Sequence, residues 1–561
     1  MVALADGFDR RYRPDPRAVD CWVHGAGRGS EGVCVELRLG DRHILLDCGL
    51  ADLTPILERG DRLDAVLCSH AHRDHSVGLL EFQARFPQVP VYVSEVTRQL
   101  LPLNWSGDWV LPPQFLGVPW RSPVELTPGI TLELFPAGHL PGASVFVLTY
   151  RDPQGSDSPV RVMYTGDFFL SNSRLVEGLP LETLRSQQPD VLILEGSYGT
   201  ARHGRRRPQE NAIADQVCDA LDRGQSILMP LPRLGLSQEL IMLLRSHHRL
   251  TGRDVTIWVD GAIARGCDAY LEILDQLPSA VQNFARHQNL FWDDRVRPRL
   301  RRLPDWNSAS DSSSVEALLE AVDGPAIVLA DYTQPLSRYL GDSGSKTGRS
   351  WRLLLAENSP GELMDRAFQA AKEHQGTVDF YMLSEHCDGL GTLQLIHNLR
   401  PQHAVFVHGE VAEIQELTAL EELNSRYKLH CPETGATLPL PIAEAFQQPS
   451  APAERYEGEV LETSEGTVEI QLPPAITQSI PWQTLADTGI IEARWNGTEL
   501  VLRGVSQQEL MNTEERWVAP DRQCCQTCRW YQGGHCRNGR SPLAGRQVAA
   551  DGSCAVFEAK Q

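Results

Sequence analysis

The sequence predicts an α/β protein of several domains, and three observations carry that prediction. Between residues 19 and 50, apolar stretches alternate with Gly25, Gly27, Gly29 and Gly32, as paired strands joined by tight turns do. From Val191 onward, buried-strand patterns alternate with helical ones, which gives a mostly parallel sheet. Between these regions, Ser69-His70-Ala71-His72-Arg73-Asp74-His75 follows directly on the apolar run Ala65-Val66-Leu67-Cys68. Its three imidazoles and one carboxylate stand at i, i+2, i+4 and i+5, a spacing that fits neither one helix face nor one strand face. It suits a loop turning out of a strand end into a helix, and imidazole with carboxylate selects zinc or a similar divalent ion.

Length and composition bound the rest. At 561 residues and 42% hydrophobic content the chain exceeds one core and should divide into two to four domains. Met1 to Pro14 has no apolar core, no run is long enough to span a bilayer, and most of the thirteen cysteines are scattered singly. The expectation is a cytoplasmic protein of a reducing compartment, without a membrane partner. A net charge of −21 argues against a protein that coats nucleic acid electrostatically, so any nucleic acid must be gripped locally. Two basic clusters could do this: Arg202 to Arg207, with Arg205 and Arg206, and Arg295 to Arg302. Each also reads as a solvated face.

Taken in order, His43-Ile44-Leu45-Leu46-Asp47 is a buried strand ending in a carboxylate, and Asp47 could orient a ligand histidine through its outer ring nitrogen. Strand-like runs follow at Val89–Val93, Ile130–Phe135, Ser144–Tyr150 and Arg161–Thr165. His139 stands on a glycine-flanked turn and Asp167 just past a strand; a carboxylate there has two oxygens and can bridge two cations. Val191 to Leu194 leads into Glu195, with Ser197 two residues on. Ser226–Leu231 and a helix from Leu236 to Leu244 repeat the strand-then-helix unit, and Val255–Asp260 and Ala326–Ala330 read as further strands. His386 and His408 each follow an apolar strand, which projects both toward one rim.

The set Asp47, His70-x-His72-x-Asp74-His75, His139 and Asp167 strongly resembles the N-terminal motifs of the metallo-β-lactamase superfamily of metal-dependent hydrolases. That resemblance implies an αββα sandwich with a dinuclear zinc site at one edge, Mn or Mg being alternatives. Glu195, His386 and His408 in turn resemble the three signature motifs of the β-CASP subgroup of nucleic-acid-processing nucleases, over roughly residues 20–440. Carried over, His70, His72 and His139 would hold one ion, Asp74, His75 and His408 the other, with Asp167 bridging and Asp74 serving catalysis. His386, held by Glu195, would be the general acid. Ser197, Arg205 and Arg206 are candidate substrate contacts.

A histidine at the position of His408 resembles the RNA-processing members, such as ribonuclease J and the endonuclease subunit of the pre-mRNA cleavage and polyadenylation machinery. DNA-repair members usually carry valine there. The implied activity is a zinc-dependent ribonuclease, endo or 5′-exo, with RNA as partner and a homo-oligomer left open. A DNA nuclease of the same fold and a catalytically inactive scaffold are the alternatives. The chain departs from the subgroup at Glu385, where a small residue is usual, at Asp331-Tyr332-Thr333 in place of a Ser-Gly-Met-like turn, and at Gly235-Leu236 in place of Gly-Arg.

The expected organisation is a metallo-β-lactamase domain over 19–200 and 376–440, a β-CASP insert over 201–375, a linker over 441–455, a small β-rich module over 456–519 and a Cys-rich tail over 520–561. In that tail Cys525, Cys528, Cys536 and Cys554 could hold a further zinc, with Cys524 and His535 as spares. An iron–sulfur cluster or redox thiols are the other readings.

Overall fold

The structure is a computed structural model that describes residues 19–443, except for 58, 106–109, 153–157, 205, 304–323 and 341–349, and short segments between 459 and 559. The chain forms two units, 1–449 and 450–561.

In the first unit β1 (Val19–Ala26), β2 (Val33–Leu39) and β3 (Arg42–Leu46) form an antiparallel meander. β4 (Ala65–Leu67), β5 (Val91–Ser94) and β6 (Phe115–Val118) extend it in parallel. A second sheet takes β7 (Val124–Thr127), β8 (Ile130–Pro136), β9 (Ser144–Tyr150) and β10 (Val160–Tyr164), joined antiparallel, and then β11 (Val191–Glu195), parallel to β10.

The chain next builds a third sheet from β12 (Ser226–Leu231), β13 (Thr256–Val259), β14 (Arg299–Arg302), β15 (Ile327–Asp331), β16 (Trp351–Ala356) and β17 (Thr377–Tyr381). Every pairing in it is parallel. Its order is β14-β13-β15-β12-β16-β17. Finally β18 (His403–Val407) joins β11, β19 (Lys428–His430) joins β18, and β20 (Thr437–Leu440) returns to the first sheet beside β1.

Alternation explains how the first two sheets meet. Val35, Leu37, Ile44, Leu46, Leu132, Leu134, Phe146, Leu148, Val191 and Ile193 recur every second residue and share one buried cluster. Their sequence neighbours Leu45, Val147, Leu192 and Leu194 are buried on the opposite faces. Strands covered on both sides read as continuous apolar runs, which is why Val191–Leu194 of β11 and Ala404–Val407 of β18 carry no polar residue. The two sheets packed face to face are the α/β sandwich that the sequence leads one to expect.

The second basic cluster is not a free cationic face. Arg299–Arg302 is the edge strand β14, and Arg295, Arg297, Arg299, Arg301 and Arg302 pair with Asp293, Asp254, Asp254, Asp294 and Asp268. Four aspartates face these five arginines, so the stretch offers little excess of positive charge to a polyanion.

The second unit contains two antiparallel pairs, β21 (Glu459–Glu462) with β22 (Val468–Gln471) and β23 (Ile491–Trp495) with β24 (Leu500–Gly504). A short hairpin joins β25 (Tyr531–Gln532) to β26 (His535–Cys536). Residues 444–455, most of the expected linker, lie outside the described residues, as do Cys524, Cys554 and Arg205. Among the described residues no helix is long and apolar enough to cross a membrane.

Candidate metal centre

Strand direction gathers the site. β3 and β4 run parallel, and so do β10, β11 and β18, while β8 and β10 flank β9 antiparallel and therefore share a direction. Their carboxyl ends deliver Asp47, the 70–75 loop, His139, Asp167, Glu195 and His408 to one edge. The loop out of β4 carries His70 and His72, and the helical turn Arg73–Ser76 carries Asp74 and His75.

There the predicted ligands converge. Ligand atoms of His70, His72, His139 and Asp167 lie within 4.8 Å of one another, as do those of Asp74, His75 and His408. Asp167 faces both groups: Oδ2 is 3.5 Å from His70 Nε2 and 3.8 Å from His139 Nε2, and Oδ1 is 3.4 Å from His75 Nε2 and 3.9 Å from His408 Nδ1. His408 Nε2 is 3.3 Å from Asp74 Oδ2.

The outer ring nitrogens are held by oxygen acceptors. His75 Nδ1 donates to Asp47 Oδ2 at 2.7 Å, and His70 Nδ1 to Ser69 Oγ at 2.9 Å. His139 Nδ1 donates to the Glu385 carbonyl at 3.0 Å, and His72 Nε2 to the Leu234 carbonyl at 3.4 Å. Each ring therefore turns a lone pair inward. His139 Nε2 and His72 Nδ1 face each other at 3.0 Å, and His70 Nε2, His75 Nε2 and Asp167 Oδ1 are buried without a hydrogen-bond partner.

Burial pushes His70 well below the ordinary imidazole value, helped by His75; it does the same to His139, helped by His386 and His72. Neutral imidazoles whose lone pairs oppose each other around a carboxylate are mutually repulsive unless a cation sits among them. The donor set fits divalent metal ions, and the outer contacts fix ring tautomer and aim.

A model of the family described as the metallo-beta-lactamase superfamily matches residues 27–194. The chain belongs to the metallo-β-lactamase superfamily. Within it, the chain is 47% identical to the uncharacterized protein sll0514 of Synechocystis sp. (strain ATCC 27184 / PCC 6803 / Kazusa), over 95% of this chain and 96% of that one. It is 22% identical to Integrator complex subunit 11 of Gallus gallus, over 77% and 74% of the two chains. It is 25% identical to endoribonuclease YSH1 of Mycosarcoma maydis over 73% of this chain, spanning about half, 49%, of that protein. Fold, superfamily and ligand groups together are those of a metal-dependent hydrolase.

Beside the ligands of this metallo-β-lactamase centre, Glu195 accepts from Phe168 N–H at 2.7 Å, from the Ser197 hydroxyl, and from His386 Nδ1 at 2.8 Å. Burial disfavours the imidazolium of His386, but Glu195 outweighs it by charge and hydrogen bond and raises the ring to about 10. Ser197 Oγ also accepts from His408 Nδ1 at 2.9 Å, so this side chain links the acid cluster to a ligand. Arg206 corrects an expectation. It pairs with Glu239 at 2.6 Å and donates to the Ser384 carbonyl, which ties it into the structure instead of presenting it to substrate.

In the tail Cys525, Cys528 and Cys536 are buried, and Cys554, the fourth expected thiolate, lies outside the described residues.

Sequence reasoning missed the Leu234 and Glu385 carbonyls, since backbone acceptors leave no residue-type signal. Gly235 was a usable clue. Its φ of +84° belongs to the left-handed region, and a Cβ would stand 3.3 Å from Glu385 Oε1 and 3.4 Å from His72 Nε2.

Proposed function

We propose that this protein is a zinc-dependent ribonuclease of the β-CASP type, hydrolysing RNA phosphodiester bonds in RNA processing or decay. One observation carries the reading: six side chains spread from His70 to His408 converge around Asp167, and the pair Glu195–His386 stands beside them. Lactam or thioester hydrolysis has no use for that added pair. The relative named as an endoribonuclease supports RNA as the substrate.

His70, His72, His139 and Asp167 would hold one zinc, and Asp74, His75 and His408 the other. Bound divalent ions supply water activated at neutral pH and offset the charge that grows on the phosphoryl oxygens. The chain's own groups do the rest. Asp47, Ser69 and two carbonyls fix the imidazoles. Glu195 keeps the proton on His386, which would protonate the leaving ribose oxygen.

End-labelled RNA incubated with purified protein, with and without chelator, tests the reading against a matched DNA strand. Metal-dependent cleavage of RNA alone is expected. His386→Ala should lose about 100-fold or more in rate with metal content unchanged. Asp74→Ala should lose metal as well. Equal cleavage of DNA would shift the substrate class, and no cleavage by the metal-replete wild type would sink the reading.

A further inference from the structure

The strand order of the third sheet predicts where a ligand should sit. From β12 the chain crosses past β15 to reach β13; from β15 it crosses the other way, past β12, to reach β16. Right-handed crossovers put those two connections on opposite faces, so a crevice opens at the carboxyl ends of β12 and β15. The structure has a cavity of about 350 Å³ there. Pro232, Arg233 and Leu234 after β12 line it, as do Tyr332 and Thr333 after β15, and its far wall includes His72 and Asp74, one residue from each ligand group.

The chemistry of the walls is specific. Tyr332 packs on the buried cluster of the third sheet and lines the cavity, and its backbone carbonyl accepts from Arg366 at 2.6 Å, which anchors the turn that carries the ring. Arg233 is braced by Asp331 through Nε at 2.9 Å and by the Leu103 carbonyl through Nη1 at 3.1 Å. Arg73 is exposed and gives one bond, Nη1 to the Asn104 carbonyl at 3.3 Å. Two guanidinium groups and an aromatic face therefore stand together beside the centre, in a chain of net charge −21.

Resting on the ribonuclease reading, we propose that this cavity is the subsite for the nucleotide adjoining the scissile phosphate, with its base stacked on Tyr332 and its outer phosphate held by Arg73 and Arg233. Stacking tolerates every base, so the subsite demands a base without choosing among them.

The test uses full-length protein and end-labelled oligoribonucleotides in which a single abasic ribose is walked through the mapped cleavage site. For wild type, one abasic position should raise KM by roughly tenfold with kcat nearly unchanged. Tyr332→Ala should show the same loss on intact RNA and no further loss on the abasic strand, while Tyr332→Phe, which keeps an aromatic ring, should retain the abasic penalty. Arg73→Gln, on an exposed side chain, keeps the test open if Tyr332→Ala does not fold: its affinity should fall and the salt dependence should lose about one phosphate contact.

Fluorescence anisotropy of the same strands on chelator-treated protein reads affinity without cleavage. An abasic penalty that persists in Tyr332→Ala, or unchanged affinity and salt slope in Arg73→Gln, overturns the subsite. Base-dependent binding by a wild type that never cleaves would uphold the subsite and overturn the ribonuclease reading.

Discussion

His75 Nδ1 donates to Asp47 Oδ2 at 2.7 Å, and that same carboxylate collects the Ser69 N–H, the Ser69 hydroxyl and the Tyr164 hydroxyl. Four donors leave Asp47 no oxygen to offer a cation; its work is to fix the tautomer that turns His75 Nε2 toward Asp167. Asp47→Asn suits the local φ of +56°, which asparagine tolerates, and should leave the fold intact. Metal affinity should fall roughly 10- to 100-fold, read by titration of the metal-free protein. An unchanged affinity would refute the orienting role.

Gly49 lies against the ligand loop so closely that a Cβ would overlap the Asp74 carbonyl. Gly49→Ala must push the 70–75 loop away from its place. Loss of bound metal together with a lower Tm is the expected result, and normal metal content in a stable variant would contradict it.

Arg206 should matter for stability and not for RNA affinity. Glu239 is buried and also accepts from Ser173, Arg174 and Leu175, so removal of the guanidinium leaves a partly satisfied buried charge. Arg206→Ala is expected to cost up to about 3 kcal/mol in denaturant unfolding, with RNA affinity near wild type in anisotropy. A stable variant with weakened RNA binding would restore Arg206 as a substrate contact.

Acid sensitivity should centre on Glu36. Burial raises its carboxyl, but His24, His43 and Arg59, at 2.9, 2.7 and 2.6 Å, outweigh that and hold it well below the ordinary value of 4.5. A carboxyl depressed in the folded state contributes stability that is fully present above the unfolded pKa and is lost as pH falls below it. Thermal unfolding across that range should show a steep acid decline in wild type. Glu36→Gln should be less stable at neutral pH and decline less steeply; parallel curves would exclude Glu36 as the source.

The converging His and Asp set was legible because metal chemistry restricts such sets to a few residue types, and because strand ends announce themselves by apolar runs stopping at His, Asp or Glu. β12 and β18 were legible for the same reason. β14 was not, since Arg299, Arg301 and Arg302 mask an edge strand whose one buried apolar residue is Leu300. Arg206 reads as a surface grip because sequence cannot show that Glu239 waits across the fold. Tyr332 and Arg233 were silent as a pair, being brought together only by the crossing order of the third sheet.

Asp167 takes its neighbours from β4, β8 and β18, and the last of these comes only after the whole third sheet has been laid down. While the polypeptide is still emerging from a ribosome, the stretch from His70 through Asp167 is complete before the imidazole of His408 that joins Asp74 and His75. The proposed nuclease is thus unarmed until translation has passed His408, a delay that shields the messenger from its own product.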